Sequence, residues 1–452
     1  MKFSANKYQE IVVLGAGESG LGAAVLAQKM GRKVFVSDFG QIAKPFKRQL
    51  DQGGFSYEEG GHNLERILLA DLIIKSPGIP EQAPVVMAAK EHNIPVISEI
   101  EYAASFTDAF LISITGTNGK TTTTALTGHI MKHAGLDVCV AGNIGKSFAA
   151  ALAESDHDYF VLELSSFQLD GLVAFHPNMA ILLNITPDHL DRYNNSFDAY
   201  AQSKLSITKN LTASDAFIYN ADDPIISKWL DANKIAAKKY PFSLRNILAE
   251  EGAFLENGKI HITINKQIFH MTLEQLALQG KHNAYNSMAA GVASKLLDIR
   301  KESLKQSLSD FQNIAHRLEF VANVHGIAYY NDSKATSVNA TWYALETFNR
   351  PVVWIAGGQD KGNDYSSLIP TVKQKVKALI CLGADNSKLI QVFGELIEPI
   401  VEVSSAEEAV MVASMLATNG DVVLLSPACA SFDLFKNYEE RGDIFKNAVK
   451  AL

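Results

Sequence analysis

The chain has 452 residues, 47% of them hydrophobic and 20% charged, with a formal net charge of −8. That length leaves room for about three domains, and the composition is that of a globular protein able to bury several cores. The negative balance argues against the broad basic face of a nucleic-acid binder, while leaving room for anionic small substrates held by local donors. The opening residues MKFSANKYQE lack the apolar run of a signal peptide, and no later segment has the length of a membrane helix. Three scattered cysteines, Cys139, Cys381 and Cys429, form no metal or disulfide spacing. A cytoplasmic protein is expected.

Short β-branched runs alternate with helical segments, which predicts an α/β chain with mainly parallel sheets. Three such series follow one another. The first holds IVVLGAGESG, KVFVSDFG, DLIIKSPG and IPVISEIEY and fills residues 1–105. The second, 106–314, opens at AFLISITG, continues through YFVLELSS and MAILLNIT, and closes after the helical stretch HNAYNSMAAGVASKLL. The third, 315–452, starts around HRLEFVANVHGIAYYNDSKA, with further strands at PVVWIAGG, ALICLG and VVLLSPA.

Each series carries polar residues directly after its strands. GAGESG is a G-x-G-x-x-G turn between a strand and a helix, and Asp38 follows at the end of the next strand, placed for a ribose hydroxyl. A nicotinamide dinucleotide, a uridine nucleotide and an empty tight turn all satisfy that pattern. ITGTNGKTTT is more specific: Gly116, Thr117, Asn118 and Gly119 lead into Lys120, Thr121 and Thr122 at a helix start. Such a loop aims backbone N–H groups at phosphate oxygens, with Lys120 neutralising charge and the Thr121 hydroxyl reaching Mg²⁺. Glu163 ends the next strong strand and supplies a carboxylate for that ion. NITPDHLDRY bunches Asp188, His189, Asp191 and Arg192 after another strand, equally readable as a solvated turn. Asn283 and Asn286, three apart, share a helix face and suit a base edge or a cap. Arg317, the NDSKATS run, GGQDKG and SPACASFDLFKNYEERG complete a set of polar residues at the carboxyl ends of two sheets.

Taken together, KSPGI, ITGTNGKTTT, AGNIG, LELSSFQL, DHLDRY, HNAYNS, HRLE, NDSKAT and SPACASFD…FKNYEERG resemble the Mur ligase family along the whole chain. NDSKAT and SPACAS point to its D-glutamate-adding branch. The shortened phosphate loop is the form these ATP-dependent ligases use. The resemblance implies a Rossmann-like N-terminal domain for UDP, a central ATPase domain and a Rossmann-like C-terminal domain for the amino acid. It implies that ATP, UDP-N-acetylmuramoyl-L-alanine and D-glutamate react through an acyl phosphate, without nucleic acid or membrane insertion, in a monomer.

By the same resemblance, Glu18, Ser19 and Asp38 lie at the uridine nucleotide, and Asn143 and His189 at the acyl end of that substrate. Gly116 to Thr122 serve the ATP phosphates, with Asn283 and Asn286 toward the adenine and Arg317, Asp332 and Lys334 toward the γ-phosphate and ribose. Thr121 and Glu163 would hold one Mg²⁺. His189 and Lys204, the latter as a carbamate, would hold a second. Without the resemblance Lys204 reads as an ordinary helix lysine. Thr336, Lys361, Ser431 and the backbone near Tyr438 would hold D-glutamate. Tyr438 stands where a phenylalanine is common, and Leu318 replaces an aromatic. The rival readings are another ligase of the family with a different amino acid, a nucleotide-dependent oxidoreductase using GAGESG, and a non-catalytic nucleotide sensor.

Overall fold

The computed structural model describes residues 5–245, 251–311, 315–360 and 362–452. Its described residues form three sheets. The first contains β1 (Glu10–Leu14), β2 (Lys33–Asp38), β3 (Ser56–Glu59), β4 (Leu72–Lys75) and β5 (Val96–Ser98), all parallel, in the order β3-β2-β1-β4-β5. Strand order reverses between β1 and β4, so GAGESG leaves β1 at the topological switch point, where open α/β sheets bind ligands. The strand β4 (LIIK) is buried at every position, as expected of a sheet covered on both faces.

The second sheet contains β6 (Phe110–Thr115), β7 (Val138–Gly142), β8 (Tyr159–Glu163), β9 (Met179–Leu182), β10 (Ala216–Asn220) and β11 (Lys238–Ser243). It is extended by β12 (Gly252–Glu256), β13 (Lys259–Ile264) and β14 (Gln267–Thr272), giving the order β14-β13-β12-β11-β10-β9-β6-β8-β7. Strands β6 to β12 are parallel, and β13 and β14 follow as an antiparallel meander. This meander is the antiparallel exception within the mainly parallel sheets that the sequence predicts. Its signature is the period-2 burial of KIHITI, one face inward and one outward. Because β6 lies between β8 and β9, the loop after β6 is flanked by the ends of both neighbours.

The third sheet has β15 (Glu319–Val324), β16 (Ile327–Asn331), β17 (Val352–Ala356), β18 (Val376–Leu382), β19 (Ile400–Val403) and β20 (Val422–Leu425), in the order β15-β16-β20-β17-β18-β19. All neighbours are parallel except the β15–β16 hairpin. That hairpin turns at His325 and Gly326, both at positive φ (52° and 81°), the geometry that matches strand twist in a tight turn.

The chain divides into two compact units. One comprises 1–276 and 284–310 and carries the first two sheets; the other comprises 277–283 and 311–452 and carries the third. Within the first unit one continuous apolar core runs from Ala5 to Ala237 and joins both sheets, beside a second cluster around Val12, Leu14 and Ile73. The helix Glu18–Lys29 packs directly on the helix Phe148–Glu154. Gly22 permits this approach, since a Cβ there would stand 2.2 Å from the Ser147 hydroxyl. Two acids from the helix Glu99–Ala104 fasten the joint. Glu101 accepts from the backbone N–H groups of Val173, Ala174 and Phe175, and Glu99 accepts from that of Ala149. No helix among the described residues is long and apolar enough to cross a membrane.

Burial, reinforced by the nearby Glu18 charge, pushes the Glu99 carboxyl up to about 7. The native state therefore holds a proton that the unfolded chain releases, so this contribution is complete at acid pH and is lost as pH rises through about 7. Glu99→Gln keeps the acceptor and removes the ionisation. Its stability relative to the parent protein should rise between pH 5 and pH 8, by up to about 3 kcal/mol in urea denaturation. An equal difference at both pH values would refute this account of the joint.

Candidate active site

The loop after β6 is held by its neighbour across the sheet edge. The Thr117 N–H donates to the Asn184 carbonyl (2.8 Å), the Asn118 N–H to Asn184 Oδ1 (2.8 Å), and Asn184 Nδ2 returns a bond to the Asn118 carbonyl (3.0 Å). The Thr117 hydroxyl bonds the Thr186 carbonyl and lies 3.0 Å from the Tyr200 hydroxyl. Gly119 caps the helix Lys120–His133 at φ +82°, and a Cβ there would approach Asn286 Oδ1 to 2.4 Å. Asn286 also accepts from the Thr123 hydroxyl, so it backs the loop directly. The result is a glycine-framed helix N-terminus, the geometry that cradles phosphate.

Two cationic side chains meet at this loop. Lys120 Nζ donates to the carbonyls of Gly116 (2.9 Å) and Thr117 (2.8 Å), and Lys204 Nζ donates to the same Gly116 carbonyl (2.8 Å). Lys204 comes from the helix Phe197–Leu205, is 2% exposed, and lies 4.9 Å from the centre of the Tyr200 ring. Burial, together with the Lys120 charge, pushes its amine well below the ordinary lysine value, against the opposing pull of Asp188, Asp170 and Glu163.

Glu163 ends β8, 2% exposed, and accepts from Asn143 Nδ2 (2.9 Å) on one oxygen. Its other oxygen, Oε2, and the Asn118 Nδ2 are buried and find no hydrogen-bond partner among the described residues. A buried carboxylate oxygen left open beside a phosphate-type loop suits a hard cation. His189 sits at φ +51°, unusual for a non-glycine residue, and its ring packs edge-on to Phe167 at 5.3 Å. Arg192 stacks over the same Phe167 and donates to the Gly78 carbonyl of KSPGI, linking the DHLDRY turn to the first sheet.

At the switch point, Asp38 differs from the simple expectation. Oδ2 accepts from the Ala16 N–H (2.7 Å) and Oδ1 from the Gly40 N–H (2.8 Å), so the carboxylate first shapes the glycine turn. Gly20 is required there, because a Cβ would fall 1.8 Å from the Gly15 carbonyl oxygen. Glu18 opens the following helix with Ser19 beside it, and burial raises the Glu18 carboxyl above its usual value.

The second unit gathers its own polar set. Asp332 accepts from the Leu318 N–H (3.1 Å) and the Ser426 hydroxyl (2.9 Å), and burial pushes its carboxyl up to about 7 against the pull of Arg317. Lys334 Nζ lies 5.5 Å from the centre of the Tyr438 ring, Thr336 is exposed, and Ser431 is buried. Asn283 belongs to this unit and donates to the Gln279 carbonyl. Lys361 lies outside the described residues.

Three positioning residues escaped the sequence reading. Asn184 and Tyr200 shape the phosphate loop. Arg441 is 1% exposed and reaches the Ser333 hydroxyl and the carbonyls of Ser333, Gly357 and Cys429, tying together three segments after the strands of the third sheet. An arginine one residue before a glycine in an otherwise charged helix gave little hint of burial. Asn184→Ala removes both side-chain bonds to Asn118, and at about 0.7 kcal/mol each should weaken ATP binding roughly tenfold. Calorimetric titration with ATP checks this; unchanged affinity would show that the loop holds its shape without Asn184.

Comparison with known proteins places the chain in a family. Residues 9–98 match the Mur ligase MurD-like N-terminal domain, 114–294 the Mur ligase middle domain, and 316–429 the Mur ligase glutamate ligase domain. The UDP-N-acetylmuramoylalanine–D-glutamate ligase of Christiangramia forsetii is 52% identical over 98% of this chain and 100% of its own. The ligase of the same name from Bacteroides fragilis is 53% identical over 98% and 100%, and that of Porphyromonas gingivalis 51% over 97% and 98%. Among solved structures, UDP-N-acetylmuramate–alanine ligase from Thermotoga maritima superposes with a TM-score of 0.62 at 20% identity, covering 98% of this chain and 99% of that one, and so shares the fold. By full-length identity and by all three domains, the chain belongs to the Mur ligase family.

Proposed function

We propose that the chain uses ATP to join D-glutamate to UDP-N-acetylmuramoylalanine in peptidoglycan precursor synthesis. The observation that carries this reading is the identity of 51–53%, over nearly the whole chain, to ligases named for that reaction. The site explains how such chemistry would run. A carboxylate acylates poorly because oxide would have to leave. Phosphoryl transfer from ATP turns that oxygen into part of a phosphate leaving group, and the amine of D-glutamate then attacks the acyl phosphate.

The loop's backbone N–H groups and Lys120 would hold the transferring phosphoryl group in line with the carboxylate, a task of positioning and charge neutralisation. By the family resemblance Arg317, Asp332 and Lys334 are assigned to the γ-phosphate and ribose of the nucleotide, and Thr336, Lys361, Ser431 and the Tyr438 backbone to D-glutamate. Glu18, Ser19 and Asp38 would take the uridine end of the substrate, with Asn143 and His189 at its acyl end. The donor set fits Mg²⁺: the open Glu163 oxygen and the Thr121 hydroxyl would hold one ion, and His189 with Lys204 a second. The ions would neutralise charge on the phosphate oxygens. As an ammonium, Lys204 repels a cation; as a carbamate it offers anionic oxygens, and the burial that disfavours its charged form favours the neutral amine that carbamylation requires.

Phosphate release with UDP-N-acetylmuramoylalanine and an amino-acid panel tests the assignment. Turnover is expected with D-glutamate and not with L-glutamate. Turnover with another amino acid alone would move the chain to a different branch, and ATP binding without any ligation would favour a sensor. Lys204→Ala is expected to lose roughly a hundredfold in activity. Short-chain carboxylic acids should restore part of it; failure of rescue would speak against the carbamate.

A further inference from the structure

The helix that begins at the phosphate loop ends in a cluster the ligase reaction does not use. His129 and His133 lie one turn apart on the helix Lys120–His133, their ring centroids 4.3 Å from each other. Asp310, the last residue of the helix Lys301–Asp310, meets them, because the two helices pack together. His129 Nε2 stands 3.0 Å from Asp310 Oδ1, and one potential ligand atom from each of the three residues lies within 4.8 Å of the others. Among the described residues this is the one such grouping of three histidine, cysteine or acidic side chains.

We propose that His129, His133 and Asp310 form a binding site for a divalent transition-metal cation of the zinc type. Two imidazoles and one carboxylate, with a fourth position left to water, are a donor set that Zn²⁺ accepts and that Mg²⁺, which prefers oxygen, does not. Zinc–ligand bonds of about 2.0–2.1 Å put tetrahedral donors about 3.3 Å apart. The His129–Asp310 pair, at 3.0 Å, is within about 0.3 Å of that separation, and the exposed His133 offers a ligand atom within 4.8 Å of both. The outer shell is present as well: Gln306 Nε2 donates to Asp310 Oδ2 (3.1 Å), leaving Oδ1 toward the imidazoles. Bound metal would pin the far end of the phosphate-loop helix to the helix that closes the first unit.

The bland alternative is a histidine pair that merely complements the carboxyl end of its helix. Calorimetric titration of the full chain with ZnCl₂, in excess Mg²⁺, separates the two, together with thermal unfolding at each zinc level. The parent protein should bind one equivalent of Zn²⁺ that is absent from His133→Ala and at least about tenfold weaker in Asp310→Asn and Gln306→Ala. Its thermal midpoint should rise with zinc, and that of His133→Ala should not. Zinc bound at the Mg²⁺ positions would persist in these variants and so is counted separately. Absence of binding to the parent protein, or equal stoichiometry and affinity in His133→Ala and Asp310→Asn, would overturn the proposal.

Discussion

Two lysine amines converging on the Gly116 carbonyl set the terms for the rest of the site. Lys120 and Lys204 both lie within 2.9 Å of that oxygen, and Lys204 is almost wholly buried. Burial first, and the Lys120 charge second, push the Lys204 amine well below its ordinary value. The arrangement makes sense beside a polyphosphate, whose charge reverses the balance. The second lysine is delivered by the helix Phe197–Leu205, and Asn184 supplies the loop's side-chain bracing.

The same site depends on a rigid joint between the first two sheets. Gly22 lets their helices touch, and the Glu99 and Glu101 carboxyl groups accept from backbone N–H groups across the joint. Arg192 adds a second tie, from the DHLDRY turn to the Gly78 carbonyl. The switch-point turn at GAGESG and the phosphate loop are thereby fixed in one compact unit. A substrate with a uridine nucleotide at one end and a carboxylate at the other requires that fixed spacing, because phosphoryl transfer tolerates little misplacement of the reacting oxygen.

Much of this was legible in the sequence, for identifiable reasons. Glycines, a lysine and threonines between an apolar strand and a helix mark a phosphate-type loop, and Glu163 is marked by ending the next strand. Asp38 was legible as a position but not as a contact: the spacing says where it stands, not that Ala16 and Gly40 engage both its oxygens. Arg441 and Asn184 were invisible because their roles arise from segments distant in sequence meeting in space. The meander at 252–272 lay outside the parallel pattern that organised the reading, although its period-2 burial is plain once the strands are paired. Lys204 is the instructive case. Periodicity places it on a helix, family resemblance marks it as special, and burial beside Lys120 supplies the physical reason.

The central claim is that the loop at Gly116–Thr122 spends ATP on activating a carboxylate. Turnover with the carboxylate of UDP-N-acetylmuramoylalanine labelled with ¹⁸O tests it most directly, by mass analysis of the released phosphate. Transfer through an acyl phosphate predicts one labelled oxygen in the phosphate for each amide bond formed. Phosphate free of label, alongside normal amide formation, would contradict the account.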